Sequence, residues 1–192
     1  MTTTAVIRDR FTPLQRLLHW LMAVCVLAML FIGVGMESTV MPKYLPLVMV
    51  HKSLGIVVLV LALIRLAVRL RYGAPPLPRD LPGPIKLGAI LSHVALYALM
   101  IGMPLIGWAM VSAAGYPVVA FGGVRLPPIV PAGDALHALL WDAHFVLAFA
   151  FFALVLLHVA AALFHALIRR DGVFESMAAI SNSSEKRIAA AE

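Results

Sequence analysis

Four apolar stretches, separated by short polar or proline-rich segments, dominate the pattern of the chain. They cover residues 14–36, 47–70, 85–112 and 134–170. Each exceeds the roughly 20 residues that a helix needs to cross the hydrocarbon core of a bilayer. The segments between them contain helix-breaking residues. Residues 72–84 hold five of the thirteen prolines, and residues 113–132 are rich in glycine and proline. We therefore predict an all-α fold, a four-helix transmembrane bundle.

The same boundaries divide the chain into three parts. These are an N-terminal segment at 1–13, a transmembrane domain at 14–170 and a C-terminal tail at 171–192. Pro13 suits the first turn of a helix, and Asp134 is predicted to cap the fourth helix. Pro104 should kink the third helix. Residues 113–132 are too irregular to span lipid and are predicted to form a surface loop, and the tail is expected to fray beyond Asn182.

The composition agrees with a membrane protein. Hydrophobic residues make up 62% of the chain and charged residues 12%, whereas a soluble domain averages roughly 25% charged residues. The first apolar stretch is longer than the apolar part of a secretory signal and lacks a small-residue cleavage site before Glu37, so we expect it to be retained. The single cysteine, Cys25, excludes an internal disulfide, a cysteine-ligated iron–sulfur cluster and the attachment motif of a c-type haem.

Lysine and arginine are distributed unevenly between the two sides of the predicted bundle. Twelve lie on the side of the termini: Arg8, Arg10, Arg16, Arg65, Arg69, Arg71, Arg79, Lys86, Arg169, Arg170, Lys186 and Arg187. Three lie on the opposite side: Lys43, Lys52 and Arg125. Cytoplasmic loops of membrane proteins carry an excess of basic residues, so both termini are expected to be cytoplasmic. The net charge of +6 is thus explained by topology, and we expect no nucleic-acid partner.

The fourth stretch carries three histidines on one helical face. His144, His158 and His165 are 14 and 7 residues apart, and at about 100° per residue they return to within roughly 40° and 20° of one direction. Ionisable side chains inside a membrane helix are costly, so these should face the protein interior and have a function. Imidazole is an axial ligand of haem iron, and without cysteine attachment any haem here must be b-type. The alternative is that the histidines are interhelical hydrogen-bond partners.

Alternating helix direction gives each histidine a depth in the membrane. His51 and His144 fall on the outer side and form one natural pair. His19 falls on the cytoplasmic side, where either His158 or His165 could be its partner. Depth alone does not choose between them, because His165 lies about 6 Å from the predicted helix end, closer to the level of His19. Two imidazoles per iron leave no open coordination position and favour electron transfer over oxygen binding.

Four sequence runs resemble the bacterial cytochrome b561 family. They are RLLHW (16–20), HKSLGIVVLVLALIRLAVRL (51–70), HVALYALMIGMPLIGW (93–108) and an H-x13-H-x6-H pattern that ends in IRRDGVFESM (144–177). The resemblance implies two b haems in the bacterial inner membrane. It assigns the axial ligands to His19, His51, His144 and His158. It also implies a quinone site near His165 at the cytoplasmic face, while Ser176 departs from the basic residue that the family usually has there.

Further residues are candidate contacts of these groups. His93 could complete the quinone pocket or contribute only to helix packing. Arg16, Arg65 and Arg69 could pair with propionates of the inner haem, since guanidinium matches carboxylate geometry; topology and lipid headgroups are the alternative explanation. Lys52 is better placed for an outer propionate.

His137 is expected to be a surface residue or a neighbour of a propionate, because it precedes the lipid-facing part of the fourth helix. The three tryptophans fall near helix ends, where they would anchor the protein at the membrane interface. They are Trp20, Trp108 and Trp141.

The resemblance implies an oxidoreductase that moves electrons across the membrane. The leading hypothesis is a superoxide:ubiquinone oxidoreductase, in which periplasmic superoxide is oxidised to O2 and ubiquinone is reduced with His165 as a proton donor. A basic funnel for the anionic substrate is not evident, because three basic outer residues are balanced by three acidic ones. One alternative is a quinone-linked cytochrome b subunit that serves a periplasmic redox partner. Another is a non-redox transporter whose histidines bind a divalent metal.

Overall fold

The computed structural model describes residues 10–38 and 44–178 of the chain. It contains four long helices: α1 (Pro13–Glu37), α2 (Tyr44–Tyr72), α3 (Gly83–Ala113) and α4 (Asp134–Leu163). By length and hydropathy, each of them can cross a membrane. The predicted all-α four-helix fold is therefore confirmed. Among the predicted helix starts, that of α2 differs most from the structure, since α2 begins at Tyr44 and not at residue 47. The helix can begin before Pro46 because proline is tolerated in the first turn.

Consecutive helices pack against one another along the chain, α1 on α2, α2 on α3 and α3 on α4. The core between them is formed by Met22, Val26, Val58, Ala62, Leu96, Met100, Met103 and Phe151. Large apolar side chains on the opposite helix faces are exposed, among them Phe31, Leu63, Leu91 and Phe149. Exposed apolar faces on every helix are what a bundle surrounded by lipid requires.

A capping box fixes the start of α1. The Thr12 hydroxyl oxygen accepts a hydrogen bond from the Gln15 backbone N–H at 3.2 Å, and the Gln15 side-chain oxygen accepts one from the Thr12 backbone N–H at 3.0 Å. The Gln15 amide nitrogen also donates to the Gly73 carbonyl at 2.8 Å, beyond the end of α2. The buried Gln15 side chain therefore ties the first two helices together at this end of the bundle.

The fourth apolar stretch is not one uniform α-helix. Gly133 is the N-cap residue and Asp134 is the first helical residue, so the predicted capping role of Asp134 is wrong; its carboxylate still lies where the helix dipole favours negative charge. At the other end a π-helical turn, Phe164–Arg169, replaces the last α-helical turn. Arg170 then adopts a left-handed conformation with φ of 52° and ends the helix.

Two short strands lie in the segment for which the sequence predicts an irregular loop. β1 (Val118–Val119) pairs antiparallel with β2 (Arg125–Leu126), and a 3₁₀ turn, Phe121–Gly123, joins them. The Trp108 indole N–H donates to the Pro127 carbonyl at 3.0 Å, which fastens the hairpin to the end of α3. Hydropathy patterns cannot reveal strands of two residues, because so short a segment carries no measurable alternation.

The chain after α4 folds back across the start of α1. A short helix, α5 (Val173–Met177), forms part of this C-terminal strap, defined here as residues 171–178. Three side chains from the start of the chain donate to its backbone carbonyls: Arg10 to Glu175, Arg16 to Ala178 and Trp20 to Met177. Ser176 is buried within it. The expected fraying beyond Asn182 lies outside the described residues.

Replacing Thr12 by alanine should lower the free energy of unfolding by about 1 kcal/mol, because an N-terminal backbone N–H loses its side-chain acceptor. Thermal unfolding in detergent would measure the loss. Thr12→Ser keeps the hydroxyl and should stay close to wild type, so an equal loss in both variants would contradict the role of the capping box.

Candidate functional site

Four histidines form two opposed pairs at different levels of the bundle. His51 of α2 faces His144 of α4 with ring centroids 6.2 Å apart and ring planes at 70°. His19 of α1 faces His158 of α4 with ring centroids 6.3 Å apart and ring planes at 65°. Each pair therefore joins α4 to a different helix. After the topology predicted from the sequence, His51 and His144 are called the outer pair and His19 and His158 the inner pair.

The levels follow from helix arithmetic. His144 and His158 are 14 residues apart on α4, which corresponds to about 21 Å along the axis and nearly the same face. Phe151 lies seven residues from each of them and is buried in the core. The apolar core cluster thus fills the space between the two pairs, and both pairs lie at its ends.

The donor set fits an iron held by two imidazoles. Metal–nitrogen bonds of about 2 Å, extended by the radius of each ring, place opposed imidazole centroids roughly 6 Å apart. Both observed pairs have this separation. In the described part of the chain, the buried Nδ1 atoms of His51 and His144 have no hydrogen-bond partner. An unpartnered buried polar atom costs about 1–3 kcal/mol, so these rings are suited to a ligand that the protein itself does not supply.

Glycines allow neighbouring helices to approach the outer pair. A Cβ atom added at Gly107 of α3 would lie 3.2 Å from Cε1 of His144, closer than most side chains tolerate. One added at Gly33 of α1 would lie 3.8 Å from Cε1 of His51. A side chain at Gly107 would therefore require the His144 ring to shift by a few tenths of an ångström.

A half-buried arginine lies beside the inner pair. The Arg65 guanidinium donates to Nδ1 of His19 at 2.9 Å, so Nδ1 is the acceptor in this contact and the proton of the neutral ring is on Nε2. Ligation of iron through Nε2 would move that proton to Nδ1 and free the guanidinium for another acceptor. The same guanidinium lies over the Tyr97 ring, 5.5 Å from its centroid. Arg65 forms no ion pair with any carboxylate in the described chain. A half-buried cation without a counter-ion fits a site that receives an anionic group such as a propionate.

A third imidazole adjoins the inner pair. The ring centroid of His93 lies 5.5 Å from that of His158, with the planes at 89°. Its Nδ1 donates to the Ala89 carbonyl one turn earlier at 2.6 Å. His93 is also exposed at the surface of the bundle. His93 therefore lies between the surface and the inner pair. From the sequence, it could either complete a quinone pocket or contribute only to helix packing.

His165 does not join the imidazole pairs. Its Nδ1 lies 2.8 Å from Oδ2 of Asp171, and the aromatic ring packed against it is that of Phe164, at 5.9 Å between centroids. The structure thus brings His158 to His19, and it holds His165 further along the chain in an ion-pair network. Which of the two ligates iron remains a prediction.

The other predicted contacts lie at varied distances from the pairs. Arg16 donates to the carbonyl of Ala178 in the C-terminal strap, and Arg69 lies over the Phe11 ring at 5.3 Å. Lys52 follows His51 on α2 and is half-buried. These residues remain predicted propionate contacts.

His137, expected at the surface or near a propionate, has its Nδ1 3.0 Å from the carbonyl of Met110 and so joins the start of α4 to α3.

Sequence reasoning missed several residues that the structure places at these sites. Gly107 lies in the run 93–108 that resembles the family, but its closeness to His144 depends on helix packing that periodicity does not specify. Tyr97, one turn after His93, carries no signal in the sequence beyond its place in an apolar stretch. Asp171 begins the predicted C-terminal tail, and its spacing of six residues from His165 indicates a contact only once the irregular helix end is known.

Comparison with known proteins agrees with this architecture. Residues 10–179 match the sequence model of the prokaryotic cytochrome b561 family. A protein of Yersinia pestis named "Probable superoxide oxidase CybB" is 32% identical over 170 residues, which cover 88% of this chain and 95% of that protein. Cytochrome b561 homolog 1 of Escherichia coli K12 is 29% identical, covering 88% of this chain and 97% of its own length. Homolog 2 is also 29% identical, covering 91% and 94%.

The resemblance noted from the histidine-containing runs is thereby confirmed. The match extends over the four helices and the C-terminal strap, so it includes every residue of both imidazole pairs. The family implies b-type haem and electron transport in a bacterial membrane. This chain belongs to the prokaryotic cytochrome b561 family of membrane electron-transfer proteins.

Proposed function

We propose that this protein is a dihaem cytochrome b that oxidises superoxide to O2 on the periplasmic side and reduces ubiquinone near the cytoplasmic side. The observation that carries the proposal is the presence of two opposed imidazole pairs, about 21 Å apart along α4. Two such centres separated by an apolar core are suited to passing electrons from one side of the membrane to the other. The name of the Yersinia relative supports superoxide as the electron donor.

In this proposal, His51 and His144 hold the outer haem, and His19 and His158 hold the inner one. Haem b supplies reversible one-electron chemistry when bound. The chain's own residues orient the iron ligands, exclude water through the core around Phe151 and provide Arg65 for an inner propionate.

The overall reaction must balance electrons and protons. Each superoxide gives up one electron on becoming O2, whereas a quinone takes up two electrons and two protons on becoming a quinol. Two superoxide ions are therefore consumed for each quinone reduced. The bundle keeps the two half-reactions apart, with His165 as a proton donor at the quinone end.

The arrangement of basic residues supports the orientation. Arg65, Arg69 and Arg71 lie near the end of α2, the end at which α1 begins. The positive-inside rule puts this end in the cytoplasm, together with the inner pair.

A second function is favoured by the hairpin of β1 and β2, which lies at the end of the bundle opposite the inner pair. The hairpin of β1 and β2 exposes Tyr116, Phe121 and Val124, with Phe121 60% exposed. An exposed apolar patch often marks an interaction site. This surface could receive a periplasmic redox protein, in which case the chain would be the quinone-linked cytochrome b subunit of a larger complex.

When the quinone-loaded protein is mixed with superoxide in a stopped-flow spectrophotometer, the haem should be reduced within milliseconds. The reaction should be this fast because the outer centre would take the electron directly. Superoxide dismutase in the syringe is the control and should abolish the reaction. Haem reduction no faster than in the dismutase control would contradict superoxide oxidation, and a stable complex with a periplasmic redox protein would favour the alternative.

The inner ligand can be assigned by haem content. The pyridine haemochrome spectrum of wild type should show two haem b per chain. His158→Ala should retain about one, since it removes an axial ligand, whereas His165→Ala should retain both. Loss of a haem in His165→Ala with retention in His158→Ala would reverse the assignment, and absence of haem from wild type would favour the metal-transport alternative.

A side chain at Gly107 should disturb the outer haem selectively. Its Cβ would lie 3.2 Å from Cε1 of His144, so Gly107→Val should displace that ring and lower haem content towards one per chain. Gly102→Val on the same helix is the matched control, because a Cβ there meets no atom within 4 Å. Equal haem loss in both variants would indicate a general effect of valine on α3 rather than a contact with His144.

A further inference from the structure

An ion-pair network holds His165 at the end of α4. Nδ1 of His165 and Oδ2 of Asp171 are 2.8 Å apart. The same oxygen accepts a hydrogen bond from Nε of Arg169 at 2.8 Å, and the other carboxylate oxygen accepts one from the Val173 backbone N–H at 3.3 Å. Arg169 also pairs with Asp80 of the proline-rich loop at 2.7 Å. Asp171 is thus fixed from three directions.

This contact depends on the irregular end of the helix. In a regular α-helix, six residues at about 100° each would leave Asp171 roughly 120° around the helix from His165. The π-helical turn and the left-handed Arg170 instead bring the chain back, and the Arg170 backbone N–H donates to the His165 carbonyl at 2.7 Å. A positive φ at a non-glycine residue is uncommon, and π-helical turns often occur at functional sites.

The paired side chains are largely removed from solvent. The His165 side chain is 13% exposed and that of Asp171 is 11% exposed. Burial alone would raise the pKa of Asp171, but the hydrogen bonds from Arg169 and His165 outweigh it, and the net pKa lies below its ordinary value. Asp171 is therefore an ionised acceptor at neutral pH, and the N–H on Nδ1 of His165 points to it.

We propose that Asp171 is a positioning residue that keeps the proton of His165 on Nδ1 and so leaves Nε2 as the nitrogen that exchanges protons with the quinone. A carboxylate on one ring nitrogen fixes the tautomer and orientation of an imidazole. When the quinone accepts electrons from the inner haem, Nε2 of the protonated ring gives a proton to a quinone oxygen and is reloaded from water. This inference rests on the proposed function, in which superoxide supplies those electrons.

Asp80 contributes less to this arrangement. Its side chain is 74% exposed, and exposed ion pairs contribute little because water screens them. The contact of Asp80 is with Arg169 and not with the imidazole, so the orientation of His165 depends on Asp171.

The test uses the haem-loaded protein in detergent with a short-chain ubiquinone. After reduction by superoxide, the rate at which quinone reoxidises the haems is followed in wild type and in Asp171→Asn. We expect the kcat of reoxidation to fall about 10- to 100-fold, the range for loss of an orienting carboxylate, with the KM for quinone changed less than about threefold. Haem content and the rate of haem reduction by superoxide should be unchanged.

Two further variants separate orientation from charge and structure. Asp171→Glu keeps the carboxylate and should recover part of the rate. Glu175→Gln removes one negative charge from an exposed position four residues away and should behave as wild type. A rate in Asp171→Asn equal to that of wild type, or an equal loss in Glu175→Gln, would overturn the positioning role while leaving the proposed function intact. If quinone does not reoxidise the haems of the wild-type protein, the proposed function itself would be overturned.

A measurement that does not depend on turnover tests the proposal even if Asp171→Asn does not retain its haems. Nitrogen NMR of ¹⁵N-histidine-labelled protein, reduced with dithionite, should show His165 protonated at Nδ1 in wild type and Asp171→Glu, with the signal assigned by its loss in His165→Gln. A neutral His165 ring with its single proton on Nε2 in wild type would overturn the proposal.

Discussion

The structure depends on the need to satisfy imidazoles inside an apolar bundle. A polar ring at membrane depth is costly, and here His144 and His158 of α4 each lie opposite an imidazole from another helix. The spacing of His144 and His158 along one face sets two levels, and α1 and α2 each supply one opposing ring. Because α1 and α2 are antiparallel neighbours, His19 and His51 lie at opposite ends of the core.

Between those levels the bundle is apolar and closely packed. Met22 is almost fully buried, and Phe151 lies midway between the two histidines of α4. The same side chains that hold the helices together therefore also separate the two imidazole pairs. Methionine fills such an irregular interior well because its side chain is unbranched and flexible.

Much of this could be predicted from the sequence, because the information is periodic. Apolar stretches of membrane length gave the four helices, and helix arithmetic gave the levels of His51 and His144. The same arithmetic does not extend beyond Leu163, where a π-helical turn changes the rotation of the chain, and it gives no sign of the contact between His165 and Asp171. Neither that turn nor the contact of Arg65 with His19 leaves a periodic signal, since both depend on local backbone geometry and on the packing of residues far apart in sequence.

The two ends of the molecule differ in the groups that surround each imidazole pair. The outer rings of His51 and His144 lie close to glycines and have unpartnered ring nitrogens. The inner pair has a guanidinium from Arg65 beside it and a further imidazole from His93, with the ion-paired His165 beyond. A positive charge near a redox centre stabilises an added electron, and proton-bearing groups are needed where a quinone becomes a quinol. Both kinds of group lie at the inner end, which agrees with the proposed transfer of electrons from the outer pair to a quinone there.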